Sequence, residues 1–433
     1  MYQSGDIREL VQEHHVRFLR LQFTDVFGRF KNIAVPVTEL EQVLANQVTV
    51  EGSVFTGSQQ TQEKVYLHPD HTTFLLFPWR PRDGAVGRLI CNGYTKAGAR
   101  FPGCSRGVLA EVLEKNPRKE QLFVGATVDF FLFHVDERGR PLLTPQDYAG
   151  LCDLSPLDMG ENARRDMVNT LDEMGIEVVY SHHGGAPGKN RICLKADTTA
   201  KMADKIVTAK FVIQAVAQRH GLYASFIPKP FKEHPGAGIS LSMALMEEDR
   251  NVFRDDNDAW SLSQAARSFA AGIVKHAGAL TALCCSSVMS YKRLSAENGA
   301  PVLAGLSPNA RLTMLNPALL GSEPALGCWI PDALGNPYLI LAAVFSAGME
   351  GILSSLELPN LAPGSPANRR KRTPGPEDLP QYLGAAVKKL KADTMIQAVL
   401  GDSISRLYIQ EKEREWDEFL YDVHQWELER YLT

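Results

Sequence analysis

The chain has 433 residues, of which 44% are hydrophobic and 22% charged, and its formal net charge is −4. That length favours two unequal domains, and the composition is typical of a globular protein. A slightly acidic chain offers no general attraction for nucleic acid or an anionic membrane surface. Its apolar runs are far shorter than the ~20 residues of a membrane-spanning helix. We therefore expect neither a nucleic-acid partner nor a membrane.

The N-terminal sequence has no apolar core and no cleavage signature, so we expect no secretory signal. The seven cysteines form no C-x-x-C pair. Cys284 and Cys285 are adjacent in sequence and poorly placed to bridge one another. These features predict reduced thiols in a cytoplasmic protein.

The first hundred residues contain short apolar runs that are typical of strands, separated by Gly and Pro. These runs are Val16–Phe23, Lys31–Val37 and Val86–Cys91, and one helical stretch is predicted near residues 37–46. From about residue 105 helices and strands alternate. We predict a boundary near residue 100, with domains at residues 1–100 and 101–433.

Two amphipathic helices are predicted, at Met159–Met174 and Ala203–His220. Asp158 and Glu161 have the spacing of a capping box at the start of the first helix. Gly175 is placed to end it. Farther on, residues 362–380 are predicted to form an exposed loop, whose basic run 369–372 is interpreted as solvated, with a nucleic-acid patch as the alternative.

Three strands are predicted at residues 125–133, 236–245 and 325–332. Alternate side chains of a strand point to the same face, so polar residues two positions apart lie together. This pattern is also typical of half-buried strands of one sheet. The pairs that share a face are Thr127 and Asp129, Ser240 and Ser242, and Gly327 and Trp329.

Nine segments follow one another along the chain: FTDVFGRFKNIAVP (23–36), EGSVFTG (51–57), LHPDHTTFLLFPWRP (67–81), DLSPLDMGENARRDMVNTLDEMGIEV (153–178), SHHGGAPG (181–188), IPKP (227–230), SYKRL (290–294), PDALGNPYL (331–339) and EWDEF (415–419). In this order they resemble glutamine synthetase of the bacterial type I family over nearly the whole chain. The resemblance implies an α+β fold. A small N-terminal β-grasp domain is expected before a large catalytic-type domain, which has a curved antiparallel sheet and flanking helices.

The resemblance also implies a reaction. Family members transfer the terminal phosphoryl group of ATP to the side-chain carboxylate of glutamate, and ammonia then displaces phosphate. They use Mg or Mn, which are hard cations that prefer oxygen ligands. The family holds these ions with glutamates on alternate strand positions and one facing histidine.

This chain departs from the family at most of those positions. Five of the six ligand positions are lost, and the sixth is shortened to aspartate. Four glutamates and one histidine are replaced by Thr127, Gly184, Arg191, Gly327 and Ser240, while Asp129 is the shortened ligand. We therefore predict no bound metal and no cofactor.

Substrate positions differ as well. Glu51 stands where the family has the aspartate of its ammonium latch, and Gly299 replaces the flap glutamate. Pro235, which has no N–H group, replaces the asparagine before Gly236. Of the arginines that bind glutamate, Arg293 is the clearest match.

A positively charged site could remain in the vacated space. Arg191 could pair with Asp129 as an internal prop. Alternatively, an anion site could be built from cationic and glycine positions, namely Arg191, Lys189, Arg293, Arg311 and Gly236. We interpret His182 and His183 as structural, and no nucleophile elbow supports a Ser240–His183–Asp129 triad.

Three functions follow from these observations. The leading hypothesis is a pseudoenzyme, that is, a structural, regulatory or ligand-sensing homologue. This rests on a formal charge change of about five units, from four lost carboxylates and one gained guanidinium, and each ~1.4 kcal/mol of lost stabilisation costs tenfold in rate. The alternatives are a divergent γ-glutamyl or related amide ligase, and an enzyme with metal-independent chemistry in the funnel that the six former ligand positions are expected to line.

The resemblance finally implies an assembly. We expect the chain to bind copies of itself in a ring-shaped homo-oligomer, a dodecamer of two stacked hexamers. Glu51 would reach into the neighbouring subunit's site. In the C-terminal WELERYL segment, Trp426, Leu428 and Tyr431 are available to pack against another subunit. A small anionic ligand is the other partner considered.

Overall fold

The computed structural model describes residues 4–59, 61–80, 84–118, 120–295, 299–308, 313–359 and 378–432. Within these ranges the chain forms one sheet of five strands and one of ten. No helix among the described residues is long and apolar enough to cross a membrane. The predicted loop at 362–380 and its basic run lie almost entirely outside the described residues.

The N-terminal sheet has the strand order β2-β1-β5-β4-β3. Strands β1 and β5 are parallel and the other neighbours are antiparallel. A 3₁₀ turn, Val37–Glu39, precedes the second helix. The strands are β1 Val16–Thr24, β2 Phe30–Pro36, β3 Thr49–Glu51, β4 Lys64–Leu76 and β5 Ala85–Tyr94; the helices are α1 Ser4–Glu13, α2 Leu40–Leu44 and α3 Ser53–Thr56.

Alternate residues of β1 build the core of this sheet. Leu19 and Leu21 are fully buried, and Phe23 stacks on Phe55 with ring centroids 4.6 Å apart. Full burial of such a side chain contributes roughly 1.5–3 kcal/mol. Helix α1 closes the core with Ile7, and the sequence prediction missed this helix although its apolar residues have helical spacing.

The second sheet has the order β13-β14-β15-β11-β6-β9-β8, with β7 and β10 paired to β6 and β12 paired to β11. Its pairs are antiparallel except β13 with β14. The strands are β6 Gln121–Val135, β7 Pro141–Pro145, β8 Val178–His183, β9 Lys189–Thr198, β10 Leu222–Ser225, β11 Ile239–Glu247, β12 Arg250–Asn251, β13 Leu303–Leu306, β14 Thr313–Leu320 and β15 Glu323–Cys328.

Helices cover one face of this sheet. Val128, Phe130 and Ile192 are fully buried against them, in one core with Met167 and Val212. The opposite face carries polar side chains along the middle of β6 and a small apolar cluster around Phe131 and Phe133 farther along the strand. The helices of this part are α4 Ser105–Glu114, α5 Glu161–Glu173, α6 Thr199–Arg219, α7 Gln264–Lys275, α8 Ala277–Cys284, α9 Val288–Arg293, α10 Pro337–Leu353, α11 Leu383–Ala392, α12 Thr394–Tyr421 and α13 Gln425–Tyr431.

The two predicted amphipathic helices are present as α5 and α6, but the predicted capping box is wrong. The N-cap of α5 is Gly160, which has no side-chain cap. Asp158 instead accepts a hydrogen bond from the backbone N–H of Gly160 at 3.0 Å and pairs with Arg164 at 2.6 Å. The arginine in the first turn competes successfully for this carboxylate. Gly175 follows the helix with φ of +70°, in agreement with its predicted role as a stop.

Asn336 connects the domain that contains the five-stranded sheet to the domain that contains the ten-stranded sheet. Its Oδ1 accepts from the backbone N–H of Tyr338 at 3.0 Å and so caps α10. Its Nδ2 donates to the backbone carbonyl of Asp25 at 2.9 Å, in the turn between β1 and β2. One side chain therefore both begins a helix and fixes the N-terminal domain on it.

Candidate functional site

Neighbouring strands of the large sheet bring the predicted positions together in rows. Ser240 on β11 lies opposite Thr127 on β6, which lies opposite Cys193 on β9. In the next row Asp129 lies opposite Arg191. Directly opposed residues of antiparallel strands point to the same side of a sheet. We call this side, which carries Thr127, Asp129, Lys189, Arg191 and Ser240, the polar face.

A three-residue ion cluster lies at the centre of the polar face. Arg191 Nε donates to Asp129 Oδ1 at 2.6 Å, and its Nη2 donates to Oδ2 at 3.0 Å. Lys189 Nζ lies 2.8 Å from the same Oδ2. Asp129 and Lys189 are each only 5% exposed. The predicted pair of Arg191 with Asp129 is present, and Lys189 is a second partner that was not predicted.

The electrostatics of this cluster favour ionised groups. Burial by itself would raise the pKa of Asp129, but the neighbouring Lys189 and Arg191 cations outweigh it and hold the pKa below its ordinary value. Burial likewise lowers the pKa of Arg191 less than the Asp129 carboxylate raises it. Two cations against one carboxylate leave the cluster with one net positive charge.

Gly184 lies directly beside the cluster. A Cβ atom added there would lie 2.6 Å from Cγ and 2.8 Å from Cδ of Lys189. The backbone N–H of Gly184 also donates to the carbonyl of Lys189 at 2.6 Å. The space that a side chain at 184 would need is therefore filled by the lysine stem.

Gly327 is covered in a similar way. A Cβ atom there would lie 2.3 Å from Oδ1 of Asn316 and 3.1 Å from Nε1 of Trp329. The indole N–H of Trp329 donates to Asn316 Oδ1. Trp329 is the first residue after β15, and its indole ring lies next to Gly327. Asn316 was missed by the sequence analysis, although an asparagine within an apolar strand is a useful signal because a buried amide needs partners.

Arg293 packs against the segment that contains Gly236 and Gly238, and this segment lies between Arg293 and the ion cluster. A Cβ atom at either glycine would lie 2.9 Å from its side chain, at Cγ and Nη1 respectively. Arg293 is 5% exposed, and its Nη2 donates to the backbone carbonyl of Ile330. Its Nε has no hydrogen-bond partner among the described residues. Lys189 Nζ donates to the carbonyl of Gly236 at 2.6 Å, so the glycine segment separates two cations.

Other predicted positions lie elsewhere. Glu51 is exposed at the end of β3, the edge strand of the N-terminal sheet. Gly299 lies in an exposed turn with φ of +67°, which favours glycine. Arg311 lies outside the described residues. Any contribution of Glu51 to the polar face remains a prediction.

The two histidines of β8 point to opposite faces of the sheet. His182 lies opposite Arg191, on the polar face, and His183 lies opposite Asn190, on the helix face. His183 is fully buried, with Nε2 2.9 Å from Asp147 Oδ1. Burial lowers its pKa less than Asp147 raises it. A Ser240–His183–Asp129 triad cannot form across the sheet.

A group with metal-like spacing surrounds His183. Ligand atoms of Asp147, Asp158 and His183 lie within 4.8 Å of one another. However, the guanidinium of Arg164 pairs with Asp158 at 2.6 Å, and the backbone N–H of Gly188 donates to Asp147 at 3.1 Å. These contacts identify a buried hydrogen-bonded support for β8 and α5, since the arginine already provides the positive charge.

The polar face does not fit the divalent ions that the family resemblance implies. A hard cation needs several oxygen ligands. Asp129 is the one carboxylate at the six former ligand positions, and two cationic side chains already occupy its oxygens. Their positive charges would repel an incoming metal ion.

Comparisons with known proteins agree with the two-sheet architecture. The model of "Glutamine synthetase, beta-Grasp domain" matches residues 15–96, and that of "Glutamine synthetase, catalytic domain" matches residues 102–431. The glutamine synthetase of Clostridium saccharobutylicum is 40% identical over 440 residues, covering 100% of this chain and 99% of that protein. That of Staphylococcus aureus strain MW2 is 37% identical over 438 residues, covering 100% and 98%.

Solved structures show the same fold. A structure described as "GmaS/ADP complex-Conformation 1" has a TM-score of 0.88 and 26% identity, with 99% of each chain covered. Plasmodium falciparum glutamine synthetase has a TM-score of 0.87 at 19% identity, covering 100% of this chain and 99% of that chain, which supports the fold alone. The fold is thus that of a two-domain α+β protein with an N-terminal β-grasp domain and a C-terminal catalytic domain, as the sequence predicted. The chain belongs to the glutamine synthetase family.

The pseudoenzyme hypothesis is contradicted by this comparison. Full-length relatives with 37% and 40% identity are named glutamine synthetase, which indicates a functional enzyme. The hypothesis rested on the charge change at the former ligand positions, which bears only on how well the site binds a divalent cation. It counted the guanidinium of Arg191 only as a loss for cation binding, and it left out the charge of Lys189 on the same face. Positive charge that stabilises an anionic reaction can come from side chains as well as from ions.

Proposed function

We propose that the chain is an ATP-dependent carbon–nitrogen ligase that joins a carboxylate substrate to ammonia or a small amine. In this reaction a carboxylate oxygen attacks the terminal phosphorus of ATP and ADP leaves. The amine nitrogen then attacks the acyl carbon, phosphate leaves with the electrons of the C–O bond, and the nitrogen loses a proton. The full-length similarity to named glutamine synthetases supports this class of reaction.

The observation that carries the proposal is the cationic cluster at the centre of the polar face. The reaction brings a polyanionic nucleotide next to a carboxylate, so the site must supply positive charge. Lys189 and Arg191 supply it from fixed positions on β9, because Asp129 holds both. A related solved structure, at 26% identity, is described as an ADP complex, and this favours a nucleotide ligand here too.

Other side chains have supporting roles in the proposal. The hydroxyl groups of Thr127 and Ser240 lie one row from the cluster and can donate hydrogen bonds to substrate oxygens. Arg293 stabilises the glycine segment at Gly236 and adds positive charge behind it. The wider anion site would also include Arg311.

The assembly proposed is a ring-shaped homo-oligomer, a dodecamer, with domains at residues 1–100 and 101–433. Glu51 would complete a neighbour's site from the exposed edge of the N-terminal sheet. The C-terminal helix supports self-association, since Trp426, Tyr431 and Leu432 are 60%, 69% and 83% exposed. A cytoplasmic location is proposed because all seven cysteines are free thiols.

The test is a search for an amide product. The purified chain is incubated with ATP, glutamate and either ammonium or a small alkylamine, and products are identified by mass spectrometry beside phosphate release. We expect an amide with at least one amine and at least a tenfold lower rate in Arg191→Met. Lys195→Met is the matched control, because Lys195 lies on the same strand but pairs with exposed Glu177. Absence of any amide from the folded, oligomeric protein across the amine panel would refute the proposal.

A further inference from the structure

The ion cluster has unused hydrogen-bond donors. Arg191 spends its Nε and Nη2 on Asp129, and its Nη1 has no hydrogen-bond partner among the described residues. Lys189 Nζ contacts Asp129 and the carbonyl of Gly236, which leaves its third N–H available. The side chain of Arg191 is 24% exposed, so the guanidinium can be reached from solvent. The cluster therefore has net positive charge together with free donors.

The surrounding residues fix this arrangement. The stem of Lys189 fills the space beside Gly184, and the Asn316–Trp329 pair fills the space above Gly327. Carboxylates at those two positions would collide with neighbours that are already in place. The glycine at position 184 thus both lacks a ligand carboxylate and leaves the room that the stem of Lys189 occupies.

We propose that Lys189 and Arg191, clamped by Asp129, take the electrostatic place of divalent ions, so that the polar face binds the phosphoryl groups of its ligand without metal. This inference rests on the proposed function, because it assigns the role of the same face. A guanidinium matches phosphate geometry through parallel N–H donors, and an ammonium adds a compact charge. Neither cation needs to be recruited from solution, and both are preorganised by the buried carboxylate.

The ligand class is a phosphate-bearing anion, because a nucleotide and inorganic phosphate present the same kind of oxygen atoms to these donors. ADP and inorganic pyrophosphate are therefore both used as probes. Each is titrated into the oligomeric protein by calorimetry, once with EDTA and once with magnesium. We expect dissociation constants that agree within about twofold between the two conditions for at least one probe. Binding of both probes that is seen only with magnesium would overturn the inference.

Variants locate the binding. Arg191→Met should weaken binding in EDTA about tenfold, the equivalent of ~1.4 kcal/mol for one charge-assisted contact. Arg191→Lys should recover part of the affinity, and Lys195→Met should bind like the wild type. Thermal unfolding of each variant distinguishes lost binding from lost structure. Unchanged affinity in folded Arg191→Met would place the phosphate elsewhere and refute the assignment.

The outcome also separates this inference from the proposed function. If a probe binds without metal but no amide product forms, the cationic phosphate site stands and the proposed ligase activity is refuted. If amide forms only with magnesium and neither probe binds in EDTA, the ligase activity stands and the proposal that side chains replace the divalent ions is refuted. Titration with manganese alone gives an independent measure, for which we expect no binding at micromolar concentration; two tight ions would contradict the inference.

Discussion

Replacement of Asp129 by asparagine should destabilise the protein severely. The change keeps the shape of the side chain but removes the charge that holds two cations, one of them only 5% exposed. Removal of one partner from a buried ion pair costs about 3–5 kcal/mol, because it leaves an uncompensated charge. The new Nδ2 group would also face either Lys189 or Arg191 as a donor against a donor. We therefore expect a loss of about 3–5 kcal/mol in the free energy of unfolding.

Chemical denaturation of the wild type and Asp129→Asn measures this loss, with thermal unfolding as a check. The double variant Asp129→Asn with Lys189→Met provides the critical comparison. Methionine keeps the stem beside Gly184 and removes one unpaired charge. The double variant should thus be more stable than the sum of the single effects, with a coupling of about 0.5–3 kcal/mol. Asp129→Asn within about 1 kcal/mol of the wild type, or strict additivity, would refute the reasoning, since buried pairs cost more than this to break.

The pH dependence has a defined sign. The pKa of Asp129 lies below its ordinary value of 3.8 in the folded protein, because its two cations outweigh the effect of burial. Its contribution to stability is therefore present above pH 3.8 and is lost as the pH falls through the folded pKa. Stability of the wild type should fall in this acidic range more steeply than that of Asp129→Asn. Parallel curves would contradict the ion-pair interpretation.

Three further predictions concern the scaffold. Asn336→Ala should lower the free energy of unfolding by about 1–3 kcal/mol in urea denaturation, because it removes the cap of α10 and the hydrogen bond to the carbonyl of Asp25. Asn336→Asp keeps the cap and should therefore lose less stability than Asn336→Ala. Burial lowers the pKa of His276, but Asp393 at 2.7 Å and Glu350 at 2.5 Å raise it above its ordinary 6.5. The stability it contributes is full below pH 6.5 and is lost as the pH rises through the folded pKa, so His276→Gln should flatten this slope in thermal unfolding measured against pH. Gly184→Glu should lower the free energy of unfolding by about 1–3 kcal/mol, because the new side chain would clash with Lys189. Gly185→Glu is the control and should leave the free energy of unfolding nearly unchanged, since a Cβ atom there meets only Leu151, at 3.9 Å. Equal losses for the two variants in chemical denaturation would contradict the packing around Gly184.

Much of the site's layout could be predicted because strand geometry is local. A period of two places Thr127 and Asp129 on one face, and the same rule separates His182 from His183. The pairing of Arg191 with Asp129 could also be anticipated from the charge of the two residues. The missed helix α1 had a readable signal, since Ile7, Leu10 and Val11 have helical spacing.

The sequence by itself determined the alternation of each strand and the loss of the carboxylates, because these depend on residue type and local periodicity. It implied the fold through its resemblance to the glutamine synthetase family. Tertiary structure alone decided how the vacated space is used. The contact of Lys189 with both Asp129 and the space beside Gly184 depends on the register of β6 and β9 and on the turn between β8 and β9. The cover that Asn316 and Trp329 provide for Gly327 depends on how β14 pairs with β15. Register sets which side chains meet across strands far apart in sequence, and no local pattern carries that information.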